Sequence, residues 1–161
     1  MSNDDSTEGN TVGSALAREW REAREALLEL AAKLPETRAY RNTDRPGWTL
    51  KHELAHLASL DEELRHFLES ARSGLADHNG PGLRRVRGRA MHAAQEMRLA
   101  RLREHLAAAG EATASAIEEA GDALGASVKV AEAEAASVAT IVRQRLDRAR
   151  ESVTLFREHL G

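Results

Sequence analysis

Two histidines one helical turn apart, His52 and His56, are the residues of this 161-residue chain best placed to do chemistry. They stand in Gly47-Trp48-Thr49-Leu50-Lys51-His52-Glu53-Leu54-Ala55-His56-Leu57-Ala58. Side chains four residues apart share a helix face, so both imidazoles can reach one divalent ion. His56 falls among Leu57, Leu60 and Leu64, on the side that must pack, which would deliver a ligand into a helical bundle. The same residues also read as a hydrogen-bonded core histidine at 56 and a surface histidine at 52. Glu53 and His56 have the Glu-x-x-His spacing of half a ferritin-type carboxylate site. No second half exists on the last helix, because Glu151 is followed at that spacing by Thr154.

The rest of the chain narrows the chemistry. No cysteine is present, which removes thiolate nucleophiles, disulfide scaffolds and cysteine-ligated metal sites, and makes a cytoplasmic location the simplest expectation. The sequence holds no Gly-rich phosphate loop, nucleophile elbow or His-Glu-x-x-His pattern. Its one dense basic run, Arg84-Arg85-Val86-Arg87-Gly88-Arg89, has no interleaved aromatic residue to stack a base, and the formal net charge is −3. A solvated helix entry is expected there, and nucleic acid is not expected as a partner. No stretch approaches the roughly eighteen apolar residues of a membrane span, so no membrane is expected either. His66, His78, His92 and His105 fall on separate elements at no ligand spacing and read as surface residues.

Positioning His56 requires helices. Hydrophobic residues make up 42% of the chain but aromatic ones only 3%, so the core must be built from leucine, alanine and valine. The first helix is expected over 14–34, where Leu16, Trp20, Ala23, Leu27, Leu30 and Leu34 recur at spacings of four and three before Pro35. The second is expected over 50–72, after the Pro46-Gly47 break and a Thr49 cap; Asp61 completes its stripe of Leu50, Leu54, Leu57, Leu64, Leu68 and Ala71. The polar link 36–46 should make these two antiparallel neighbours. Asn79-Gly80-Pro81-Gly82 is a stop, followed by a long third helix whose dependable part is 93–124 and a partly helical connector, 125–136. The fourth helix should run from about Ser137 to the end with Val142, Ala149 and Phe156 inward. Residues 1–12, polar and acidic, are expected as a disordered tail, and 13–161 as one all-α domain, a four-helix bundle with one longer connection.

With these elements placed, Gly47-Trp48-Thr49 leading into Ala55-His56-Leu57 resembles the opening of the second helix in the DinB/YfiT-like four-helix bundles. That superfamily includes the N-terminal domain of mycothiol-dependent maleylpyruvate isomerases. The resemblance implies a DinB-like bundle in which His56 takes a divalent-metal ligand position, with two further ligands on the fourth helix. Leu146-Asp147-Arg148-Ala149-Arg150-Glu151-Ser152 runs parallel to the family's Leu-Asp-His-x-x-Glu-His, which puts Arg148 and Ser152 at those two positions. Arginine keeps its proton and has no lone pair to offer, so it cannot ligate. Glu151 or His52 would be the remaining donor beside His56, a weak and open site.

Where relatives hold a dication, Arg148 can direct its guanidinium to Asp61 or Glu63, and such an ion pair would explain the acid in the apolar stripe. Alternatively Arg148 snorkels to solvent and Asp61 sits at the rim. The expected protein is a bundle with a degenerate metal site, without a tightly bound cofactor, that binds a small molecule or partner and pairs as a homodimer. If the site is intact, the resemblance implies instead a zinc-, nickel- or iron-dependent transferase or isomerase that activates a low-molecular-weight thiol. The larger isomerases carry a second, C-terminal domain, and none is expected here.

Overall fold

The computed structural model describes residues 4–74, 81–128 and 136–160. Its helices are α1 (Asp4–Ala32), the single turn α2 (Glu36–Ala39), α3 (Leu50–Arg72), α4 (Pro81–Gln95), α5 (Leu99–Ala120) and α6 (Val138–Leu160). Four of them, α1, α3, α5 and α6, make the bundle: α1 packs on α5 and α6, and α3 packs on α5 and, less closely, on α6. The first and third helices of the chain therefore face each other across a diagonal. The link between them, which carries α2, is long enough to step over the bundle end, so they are not the neighbours that its polarity suggests. No helix among the described residues is long and apolar enough to cross a membrane.

Several expected boundaries move for physical reasons. Residues 4–12, expected in the tail, extend α1 back to Asp4. The expected long third helix is two helices, because the chain turns at Glu96-Met97-Arg98. That turn lets Ala94 at the end of α4 and Leu99 at the start of α5 both be buried, with α4 lying along α3 and α5 entering the bundle. A 3-10 turn, Gly121–Gly125, follows α5, and a two-residue antiparallel ladder pairs β1 (Ser127–Val128) with β2 (Ala136–Ser137). Asn79-Gly80 and all of the stretch 131–136 but Ala136 lie outside the described residues.

The apolar stripes close into two core clusters stacked along the bundle. One gathers Leu27, Leu54, Leu57, Leu102, Leu106 and Phe156; the other gathers Leu16, Trp20, Phe67, Ile117, Leu124 and Val142. Each such side chain contributes roughly 1.5–3 kcal/mol on burial. Between the clusters lies a charged layer. Asp61 of α3, 1% exposed, accepts from Arg24 of α1 through Nη1 at 2.6 Å and Nη2 at 2.9 Å. The same Nη1 donates to the Leu106 carbonyl at 2.8 Å, so the guanidinium ties three helices together. Gly110 makes room for it, since a Cβ there would stand 2.6 Å from Arg24 Cγ.

Candidate functional site

The approach to α3 is a tight loop that aims one indole. Arg45-Pro46-Gly47-Trp48 is a turn closed by the Trp48 N–H on the Arg45 carbonyl at 3.0 Å, with Gly47 at φ +73°, a conformation side chains rarely adopt. The Thr43 N–H and hydroxyl both donate to the Trp48 carbonyl, at 2.7 and 2.8 Å. Thr49 then caps α3. Its hydroxyl accepts from the His52 N–H at 3.1 Å, and His52 Nδ1 accepts from the Thr49 N–H at 3.0 Å, a capping box with histidine in the usual glutamate place. His52 thus spends a ring nitrogen on the helix entry and stacks on Trp48, centroids 5.6 Å apart.

Glu53 is the centre of the site. Although charged, it is 2% exposed, and three donors converge on it: Trp48 Nε1 at 2.7 Å, Ser152 Oγ at 2.6 Å and Arg148 Nη1 at 2.8 Å. Arg148 Nη1 also donates to Ser152 Oγ at 2.9 Å. Burial pushes the Glu53 carboxyl up, but the hydrogen bonds from Arg148, Ser152 and Trp48 and the Arg148 charge outweigh it and hold the group below the usual carboxylate range.

The family alignment therefore brings α3 and α6 together at Arg148 and Ser152, but the acid that receives Arg148 is Glu53, not Asp61 or Glu63. Asp61 lies two turns further along α3 and roughly 80° round its axis, at 3.6 residues per turn, and is taken by Arg24. Glu63 is taken by Arg145 of α6 and by Arg87 of α4, the latter at 3.3 Å. Glu151 is exposed and does not join His56.

His56 is half-buried one turn beyond Glu53, edge-on to Trp48 with ring centroids 5.6 Å apart. Burial and the charge of Arg148 push its pKa below the ordinary value; Glu53 opposes them, and Arg87 and Arg145 add to the depression. Three cations thus disfavour the protonated form of His56. Among the described residues no group of three or more His, Asp or Glu side chains is placed to hold a metal ion. The donor set does not fit a dication: the best-placed carboxylate already accepts from three donors, and a fixed cation stands beside it. Sequence reasoning named Glu53 only as half of a Glu-x-x-His pair and passed over Arg145 and Arg87 here. Arg87 was hidden in the basic run, of which Arg84, Arg85 and Arg89 are exposed as expected.

The two depressed groups predict acid lability in two steps. For His56 the unfolded chain binds more protons between its ordinary value of 6.5 and the lower folded value, so stability falls as pH drops below 6.5. For Glu53 stability is present above 4.5 and is lost as pH falls through the folded value. Urea unfolding followed from about pH 8 to about pH 3 should show both losses, and His56→Asn should abolish the first. A profile flat across the upper step in the wild type would contradict the placement of His56.

Residues 20–151 match the family model described as the mycothiol maleylpyruvate isomerase N-terminal domain. A solved structure of the mycothiol-dependent maleylpyruvate isomerase superposes with a TM-score of 0.66 at 15% identity, covering 88% of this chain and 59% of the isomerase chain. A histidine-to-alanine mutant of that isomerase superposes equally well, with a TM-score of 0.66 at 14% identity and the same coverage. At such identities the likeness is one of fold, and the chain spans 59% of the isomerase's length. No curated protein matches the sequence.

Proposed function

The chain belongs to the mycothiol maleylpyruvate isomerase N-terminal domain family, a DinB-like bundle, and from that premise we propose that it is a member whose metal position has become an ion pair and which binds a small molecule or a partner without catalysing a reaction. The observation that carries this reading is the Arg148–Glu53 pair at 2.8 Å. A catalytic metal site needs neutral nitrogens and free carboxylate oxygens around an open coordination position. Here Arg148 supplies a fixed positive charge instead, Ser152 accepts from Arg148 and donates to Glu53, and His56 stands in a field that disfavours any further cation. Fold and family alone do not restore an activity that the side chains lack.

The second reading, a zinc-, nickel- or iron-dependent enzyme using a low-molecular-weight thiol, draws on the family match and on His56 at the family's ligand position. It requires Arg148 to leave a buried carboxylate, which strands a charge. Calorimetric titration of the whole chain, purified without an affinity tag, with zinc and with nickel decides between them. The expected result is no tight stoichiometric binding of either; one ion bound per chain with sub-micromolar affinity would overturn the first reading.

The proposal includes a cytoplasmic homodimer, with neither nucleic acid nor a membrane as partner. Its support is the alanine-rich sequence of α5, which carries few large side chains. Sedimentation equilibrium should give twice the chain mass, and a 17.6 kDa species persisting at high concentration would remove the dimer.

A further inference from the structure

Two exposed stripes of charge go unanswered within the chain. On the outer face of α1, Glu22, Glu25 and Glu29 recur at spacings of three and four, and among the described residues none of them forms an ion pair. On α4, Arg85 and Arg89 stand four residues apart on one exposed face, equally unpaired. Arg18 and Lys33 lie at the two ends of the acidic stripe, Arg84 lies beside the basic one, and His92 meets Glu96 at 3.7 Å at its end. The helix between them is different. The acids that α5 exposes are answered at home, Glu104 by Arg101, Glu111 and Glu118 by Arg21, and Glu119 by Arg72.

The stripes flank α5 and lie level with each other. α1 runs antiparallel to α5, since Arg21 meets Glu111 and Arg103 donates to the Leu34 carbonyl. α3 runs parallel to α5: Arg24 bridges Asp61 and the Leu106 carbonyl, and Arg65 donates to the Ala109 carbonyl further down both helices. α4 returns along α3, with Arg87 on Glu63 and Lys51 on the Gln95 carbonyl, so α1 and α4 point the same way. Arg24, which stands among the three glutamates, pairs with Asp61, and Arg87, between Arg85 and Arg89, pairs with Glu63. Asp61 and Glu63 are two residues apart on α3, about 3 Å along its axis. A groove of about 540 Å³ between α1 and α5 is lined by Glu25, Leu28, Glu29, Ala32 and Ala107, and one of about 290 Å³ between α3, α4 and α5 by Arg89, Ala90, Ala93, Met97 and His105. Both stripes therefore border the outward face of α5.

We infer that a second copy of the chain docks on this face about a two-fold axis running along the bundle, α5 opposite α5, with Glu22, Glu25 and Glu29 of each protomer against Arg85 and Arg89 of the other. The inference rests on the homodimer reading and names the faces that meet. A two-fold axis along the helices exchanges the two flanks of α5 and shifts nothing along its own direction. It sets α1 opposite the other protomer's α4, in the same direction and at the height where acids and arginines already coincide. An axis across the helices would set α1 on α1, acid against acid. At the centre, α5 turns out Ala100, Ala107, Ala108 and Ala112, which let two copies approach closely. Exposed ion pairs of this kind select the orientation more than they add affinity.

The test is sedimentation of the whole chain and of two charge-reversed variants, alone and mixed. Glu25→Arg with Glu29→Arg, and separately Arg85→Glu with Arg89→Glu, should each raise the dimer dissociation constant at least about tenfold, because each sets like charges together at both symmetric contacts. Mixed in equal amounts, the two variants should pair about as tightly as the wild type, since every contact of the mixed dimer again joins acid to arginine. All four positions are exposed, so the circular dichroism of each variant should match the wild type. A wild type that stays at 17.6 kDa removes the homodimer reading and this arrangement with it, and leaves the face to a partner of different sequence. A wild-type dimer that neither variant weakens keeps the homodimer but overturns the arrangement. So does a mixture that fails to pair again.

Discussion

Replacing Arg24 with methionine is expected to cost about 3–5 kcal/mol of folding stability, the size associated with breaking a buried ion pair and leaving its partner charged. Asp61 is 1% exposed between two apolar clusters, and Arg24 supplies both of its short hydrogen bonds. Arg24→Met also removes the donor to the Leu106 carbonyl. Arg24→Met with Asp61→Leu should recover most of the loss, since an apolar pair of similar volume does without the desolvation of two charges. Gly110 reports on the same contact. A glycine-to-alanine change in a helix ordinarily gains about 1 kcal/mol, but here the new Cβ would lie 2.6 Å from Arg24 Cγ, and Asp61 holds that side chain in place. Gly110→Ala should therefore destabilise the wild type and become neutral or favourable once Arg24 is gone, a coupling that a double-mutant cycle measures directly. Urea unfolding of the single and double variants is the measurement; an Arg24→Met cost below about 1 kcal/mol would place Arg24 outside the core.

That layer was readable in part. Asp61 stands out in the sequence because leucines flank it on the same stripe, but its partner was sought on the fourth helix. Arg24 lies four residues after Trp20 and three before Leu27, a position as apolar by spacing as Ala23, so drawing the stripe through Ala23 hides it. Glu53 is legible as half of a Glu-x-x-His pair, but not as the acid that receives Arg148. It sits three residues after Leu50 and four before Leu57, on the buried face, and spacing alone does not say which cation of another helix meets it. Both ends of α3 were legible because their signals are local: the Thr49 cap, and Gly74 at φ +73° just past the last turn. The turn at Glu96-Met97-Arg98 was not, because it contains neither glycine nor proline. What ends the helix there is the separate burial of Ala94 and Leu99, a tertiary demand that no short window carries. The pairing of α3 with α6 came through the motif alignment, while the identity of the acid at its centre depended on rotation about α3, which the motif does not encode.

Arg148→His together with Ser152→His is expected to create a zinc site with a dissociation constant in the micromolar range or below, about −8 kcal/mol or better. Arg148 and Ser152 are one turn apart on α6 and both meet Glu53 Oε1, at 2.8 and 2.6 Å, so imidazoles at these positions would converge on the same oxygen. Trp48 holds the other oxygen, Oε2, and would keep the carboxylate oriented. With His56 one turn along α3, the ion would meet three nitrogens and one oxygen, a tetrahedral set zinc accepts. The metal-free double variant loses the cation that neutralises Glu53 and should be destabilised by about 3–5 kcal/mol. Zinc should return that stability, since a ligand at a thousand times its dissociation constant contributes about 4.1 kcal/mol. The melting temperature of the double variant should therefore lie below the wild type without zinc and recover with it, while the wild type stays indifferent. Adding Glu53→Gln should weaken the site, because a neutral amide replaces the only anionic donor. A folded double variant that ignores zinc, or a wild type stabilised to the same extent, would show that Arg148 and Ser152 do not occupy the metal position of the fold.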